Sequence, residues 1–373
     1  MRATLKQIKL NNFKNYTEAM IHCSPGINCL VGKNGMGKTN FLDAIYYLCM
    51  TKSHFNLSDS HLIRHEADFF RMDASFEVGQ ETNRIVAKYA ARKKKVFEKN
   101  QVPYERLAEH IGQLPVVMVA PDDTQIATEG SEVRRKFIDN TLSQIDQQYL
   151  QQLILYNKIL KQRNALLKKM AEENRYQADL IQVYDQQLLN PAAFIFEKRQ
   201  AFAEILQPVF QVMHDFICGA AEKVQLSYVS PLAEKGLADI LKENKEKDRI
   251  LQRTSSGIHK DDLVFQIESR PLKRFASQGQ LKSYILALKL SQYEILKQEK
   301  GCAPILLLDD IFDKLDLHRV FQLLELLSNG QFGQTFITDT NPHRVAQILS
   351  QFPIEQSQFF VEHGSIKDFP LTS

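Results

Sequence analysis

Between Gly32 and Asn40 the chain reads GKNGMGKTN, and this short run restricts the possible folds more than any other. It fits G-x-x-x-x-G-K-[ST], with Gly32, Gly37, Lys38 and Thr39 on the fixed positions and Lys33, Asn34, Gly35 and Met36 between. INCLV before it is a short apolar run expected to form a buried strand, and FLDAIYYLCM after it has helical periodicity. Strand, glycine loop and helix are what such a motif needs. The glycines let consecutive N–H groups face a phosphate, and the helix N-terminus adds positive potential. Lys38 is expected on the β/γ-phosphates and the Thr39 hydroxyl on Mg²⁺, with Asn40 counted among the nucleotide-binding residues. With average glycine usage the pattern arises by accident in roughly one chain of this length in a hundred, and the correct flanks make accident rarer still.

Far along the chain, PILLLDDIFDKLD (Pro304 to Asp316) reads as a buried parallel strand ending in Asp309 and Asp310. Carboxylates at a strand's end lie where open α/β sheets bind ligands. Asp309 is expected to support hydrated Mg²⁺ and Asp310 to orient the attacking water. A plain core strand leading to a helix capped by Asp316 is the blander interpretation. Because Thr39 and Asp309 must serve one metal ion, the chain between them must leave the nucleotide core and return. Leu142 to about Phe216 looks like that excursion: long, amphipathic and almost free of glycine, with Pro191 expected to kink its second helix. Arg71 to Ala90 alternates like strands, and PVVMV is another buried strand. ARKKKVFEKNQV between them reads as a hairpin turning near Lys99-Asn100.

Ser277-Gln278-Gly279-Gln280 precedes a strongly periodic helix. It is either a simple N-cap or a second phosphate-binding helix end. A second such end suits a second ATP, as in composite sites where one subunit's serine loop closes on its partner's nucleotide.

Taken together, GxNGxGKT, SQGQ and hhhhDDxxxxLD resemble the ABC-type ATPases of the SMC group. PDDTQIATEGSEVRRKFIDNTLSQID…YNKILKQRNALL, GIHKDDL, RFASQGQ and FFVEHGSI resemble the RecF family in particular, across essentially the whole chain. The resemblance implies an α/β, SMC-like P-loop ATPase head with an inserted helical second lobe. It places lobe I at 1–125 and 256–373 and the helical lobe at 126–255. It implies an ATP-dependent homodimer that binds DNA, partners RecO and RecR, and helps load RecA recombinase in gap repair and the SOS response. Ser277 to Gln280 and Asp316 would act across the dimer, and Lys14 matches a position near the phosphates where the family usually has Arg. There are departures: Ile258 and Lys260 replace a usual Pro and Arg, Asp339-Thr340 stands where transporter ATPases carry a switch histidine, and no glutamine follows PVVMV, leaving that position within Ala120 to Asp123.

Composition is that of a globular protein, 44% hydrophobic and 24% charged, and a core is readily built. No stretch suits a signal peptide or a membrane helix, so a cytoplasmic protein is the default expectation. Five scattered cysteines and ten histidines without paired spacing point away from zinc and disulfide scaffolds. Net charge is only +3, so a DNA surface must come from local clusters. Arg92 to Lys95, Arg134 to Lys136, and Lys161, Arg163, Lys168 and Lys169 are candidates, each more simply a solvated face; the sequence does not select the DNA-binding side. Two other functions compete: a DNA clamp holding ATP as a structural ligand, kept open by Asp310 in place of the usual Glu, and a transporter nucleotide-binding subunit, disfavoured by the late serine loop.

Overall fold

The computed structural model describes residues 1–219, 222–312, 317–342, 344 and 355–369. The chain forms two compact units, one of 1–124, 213–221 and 277–373, the other of 125–212 and 222–276. The expected return at 256 therefore differs from the return at 277. The reason is local: 257–276 supplies strands and a short helix to the second unit's own sheet, and a run of short apolar segments does not announce which sheet it joins.

The first unit begins with β1 (Ala3–Phe13), β2 (Tyr16–His22), β3 (Ile27–Val31) and α1 (Lys38–Met50). It continues with β4 (Phe69–Val78), β5 (Glu81–Ala90), β6 (Val96–Lys99), β7 (Val102–Pro103) and β8 (Val116–Val119). The second unit holds α2 (Gln125–Thr128), α3 (Ser131–Ile145), α4 (Gln147–Glu172) and most of α5 (Ala178–Cys218). It also holds β9 (Val224–Val229), α6 (Leu237–Glu243), α7 (Lys245–Leu251), β10 (Asp262–Ile267), β11 (Arg270–Pro271) and α8 (Leu272–Phe275). The first unit then resumes with α9 (Gln278–Lys300), β12 (Ile305–Leu308), α10 (Leu317–Ser328), β13 (Thr335–Asp339), β14 (Gln356–Glu362) and β15 (Ser365–Asp368).

Among the described residues, two six-stranded sheets build the first unit. One is antiparallel, in the order β2-β1-β4-β5-β6-β7; the other runs β15-β14-β3-β13-β12-β8, with β14, β3, β13, β12 and β8 mutually parallel. The parallel strands β3, β8, β12 and β13 are buried throughout, as strands covered on both faces must be. The antiparallel strands alternate instead, and β4 buries Phe70, Met72, Ala74 and Phe76. Their other face is a lattice of compensated charge: Lys9–Glu18, Arg84–Asp73 and Lys88–Glu98. β6 and β7 form the expected hairpin, and Asn100 and Gln101 at its tip both adopt positive φ. The Arg92–Lys95 run is the preceding turn, between β5 and β6.

In the second unit α4 and α5 run 26 and 41 residues, packing Leu167, Met170 and Ile181 together at one end. α5 continues through both Pro191 and Pro208. Two arginines are almost wholly buried here, each satisfied by carboxylates. Arg163 donates to Asp185 and Asp248, and Arg199 to Asp139, Asp261 and the Ile258 carbonyl. Arg163, a candidate for DNA, is thus an internal structural cation, and Arg134 and Arg135 are likewise engaged with Asp262 and the Asp261 carbonyl.

Candidate nucleotide site

β3 delivers the glycine loop at the C-terminal edge of the parallel sheet, between β14 and β13. Gly32 has φ +153°, and a Cβ there would lie 2.3 Å from the Val361 carbonyl oxygen. Gly37 has φ +119°, and its Cβ would press into the Asn15 side chain at 2.5 Å. Both positions exclude any side chain. Asn15 fastens the loop by donating to the Met36 carbonyl and accepting from Asn40, while the buried Tyr16 hydroxyl donates to the Gly37 carbonyl. α1 begins at Lys38 without a side-chain cap or an acidic residue in its first turn, so no group of the helix itself offsets its N-terminal positive potential. Lys38 is buried, and its ammonium donates to the Gly32 and Lys33 carbonyls at 2.7 and 3.0 Å.

The loop meets the carboxylates directly. Thr39 and Asp309 are 270 residues apart, yet the Thr39 hydroxyl lies 2.9 and 2.8 Å from the two Asp309 carboxylate oxygens. β12 places Asp309 there by pairing in parallel with β8 and β13, and the Asp309 N–H extends that ladder to the Val119 carbonyl at 2.8 Å. Burial pushes the Asp309 carboxyl above the usual carboxylate range, opposed by the hydrogen bonds from Thr39 and Thr338 and by Lys38. Asp310 takes φ +49°, uncommon for a non-glycine residue, and its N–H donates to the Thr338 hydroxyl at 2.8 Å. The same hydroxyl donates to Asp309 at 2.8 Å. Thr338, at the end of β13, therefore holds both acidic residues.

Asn34, Gly35, Gly37, Lys38, Thr39, Asn40, Asp309 and Asp310 line one cavity of about 200 Å³, together with Pro121 and Thr338. Gly32, Lys33 and Met36 shape the loop without lining that cavity. Pro121 lies in the Ala120–Asp123 segment that the sequence left open, and Thr338 escaped the sequence analysis. Thr338 had a usable signal, being a polar residue at the C-terminal end of a buried parallel strand. Lys14 is also outside the lining: its ammonium sits 2.7 Å from the fully buried Asp43 carboxylate and over the Phe55 ring.

The segment after β8 turns Asp123 inward, where its carboxylate accepts from the Ala120 N–H and meets Lys289 of α9 and His54. Burial alone would raise this carboxyl, but Lys289 and His54 bring it down to about 2. Asp339, at the position of the absent switch histidine, is buried and clasped by Arg344. Ser277 caps α9 in a reciprocal box: its hydroxyl accepts from the Gln280 N–H, and the Gln280 side chain accepts from the Ser277 N–H. The N-cap interpretation is thus realised, on residues that remain exposed at Ser277 and Gln278. Asp316 lies outside the described residues.

A phosphate loop, a carboxylate-tipped parallel strand and a serine-capped helix on one sheet edge define the class of P-loop ATPases built as SMC-like heads. A family model described as RecF/RecN/SMC N terminal domain matches residues 4–359. The head domain of Smc from Pyrococcus furiosus shares this fold, with TM-score 0.56 at 16% identity over 98% of this chain and 96% of that one. Similarity is much higher to DNA replication and repair protein RecF of Flavobacterium johnsoniae, 49% identical over 92% of this chain and 96% of the relative. The corresponding protein of Phocaeicola vulgatus is 44% identical over 98% of both. A solved structure of the recombination mediator protein RecF with ATP, from the RecFOR pathway, gives TM-score 0.89 at 29% identity, covering 99% of this chain and 98% of that one. The chain belongs to the RecF family.

Proposed function

We propose that this protein is an ATP-controlled DNA-binding switch of replication and recombinational repair, which dimerises on ATP and hydrolyses it slowly. The observation that carries this reading is the Thr39–Asp309 hydrogen bond, which brings the phosphate loop and the acidic strand end to one point. A hydroxyl and a carboxylate in contact are the hard oxygen donors Mg²⁺ takes, and their burial makes a divalent cation electrostatically welcome. Such a cation, when bound, would neutralise charge on the β- and γ-phosphates. The chain's own residues do the rest. The loop N–H groups and the α1 N-terminus hold the phosphates, Lys38 exchanges its two loop carbonyls for phosphate oxygens, and Asp310 accepts a hydrogen bond from the attacking water. Lys14 leaves Asp43 to approach the nucleotide.

Ser277 to Gln280 close on the partner protomer's ATP, with Asp316 beside them. Gly279 adds no side chain, and the Ser277 hydroxyl can accept within the cap while donating its own proton outward. DNA, RecO and RecR are the partners in this reading, the cytoplasm is the compartment, and gap repair, RecA loading and the SOS response are the setting. The solved relative named for the RecFOR pathway and its ATP supports it. The competing reading, ATP as a structural ligand of a DNA clamp, draws on the shorter Asp310 and its left-handed backbone. ATP turnover measured with and without gapped DNA decides between them: slow turnover that rises with DNA supports the switch, and none under either condition supports the clamp.

A further inference from the structure

In the second unit a cleft of about 290 Å³ opens between the start of α5 and the α6–α7 pair. That volume is near the lower end of ligand-binding clefts, about 300–1,000 Å³. Its apolar lining comes from Ala178, Ile181, Leu189, Ala238 and Leu241. Its polar lining combines Gln182 and Gln186, one helical turn apart, with Lys242 and Lys245. Tyr176 closes one end, with the Lys245 ammonium and the Arg249 guanidinium each 5.5 Å from its ring centre.

Carboxylates near this cleft have cation partners. Asp185 lines it, but that carboxylate is committed to the buried Arg163 at 2.6 Å. Glu243 pairs with Lys235, and Glu246 with Arg249. Among the described residues neither Lys242 nor Lys245 has a carboxylate within ion-pairing distance, and both side chains are exposed. Two exposed lysine cations without carboxylate partners, beside an apolar floor, are complementary to an anionic amphipath.

We propose that this cleft docks a short acidic segment of a partner protein, seating one apolar side chain between α5 and α6 while its carboxylates meet Lys242 and Lys245. Peptide is favoured over nucleic acid by three features. The floor is aliphatic. The Tyr176 ring is already engaged by two cations, so it offers poor stacking for a base. The Gln182 and Gln186 amides can each donate to and accept from a peptide backbone. This proposal is independent of the ATP site.

The test is fluorescence anisotropy on the full-length protein with a labelled peptide of aspartates around a single central phenylalanine. Binding is expected to weaken with salt and to fall about tenfold or more in Lys242→Glu/Lys245→Glu, whose exposed positions leave the fold intact. Replacing the peptide's phenylalanine by alanine should cost a similar factor. Lys235→Glu, outside the cleft, should bind as the parent does. The proposal is overturned by a peptide affinity unchanged in the double variant, or by equal loss in Lys235→Glu. It is equally overturned if single-stranded oligonucleotide binds this cleft more tightly, with the same dependence on Lys242 and Lys245, and displaces the peptide.

Discussion

Thr338 is one hydroxyl with two acidic clients, accepting from the Asp310 N–H and donating to the Asp309 carboxylate. Thr338→Val keeps the shape and removes both bonds. ATP hydrolysis should fall about tenfold to a hundredfold, since misplacing a reacting group by about 1 Å costs on the order of 10², while ATP affinity stays close to the parent's. Thr338→Ser should restore turnover, and single-turnover kinetics beside equilibrium binding would separate the two effects. Asp310→Asn should slow hydrolysis further and prolong the ATP-bound dimer; turnover at the parent rate would remove Asp310 from the water-positioning role. Lys38→Ala should abolish tight ATP binding and leave the thermal unfolding profile in place, because Lys38 serves loop carbonyls rather than core packing. Calorimetric titration with ATP checks it.

Local elements were legible where short-range chemistry determines them. The glycine loop, the acidic strand end and the β6–β7 hairpin each rest on residue types whose backbone preference or burial admits few alternatives. Long-range links that no motif marks were not legible. Nothing in the sequence announces that Gln334 is fully buried and exchanges hydrogen bonds with the Leu5 N–H and carbonyl while also reaching the Ser24 carbonyl. That side chain serves β1 where its pairing with β4 shifts register between Leu5 and Gln7. Gln334→Ala should cost about 3 kcal/mol, from buried backbone groups left unpaired, as read from urea unfolding. His110 was equally silent. It is fully buried against the Leu48 carbonyl and the Tyr104 hydroxyl, and burial lowers its pKa to about 4 from 6.5. The unfolded chain binds the proton first, so this contribution is complete above pH 6.5 and is lost as pH falls toward 4. The loss should reach about 2 kcal/mol near pH 5, and urea melts of His110→Asn should show a correspondingly flatter acid limb.

At the scale of the molecule, the distance between the phosphate loop and its acidic partner strand foretold an inserted second unit. It did not foretell where that unit ends, because β10, β11 and α8 carry no motif that separates them from the ATPase. Nor did it foretell that Lys14 rests on Asp43, a pairing made by tertiary proximity alone. If ATP joins two protomers, DNA binding should be tighter with ATP, indifferent to sequence and steeply weakened by salt, because phosphate contacts release counterions; titrations across ionic strength would check this. The composite site itself is tested most directly by light scattering of Ser277→Arg with and without ATP, alongside fluorescent-ATP binding. Ser277 is exposed at the head of α9, so a bulky cation there leaves the protomer folded and its own phosphate loop untouched. The expected result is parent-like ATP affinity with the mass of a monomer at ATP concentrations that make the parent a dimer. A variant that still dimerises with ATP as the parent does would contradict closure of this helix on the partner's nucleotide.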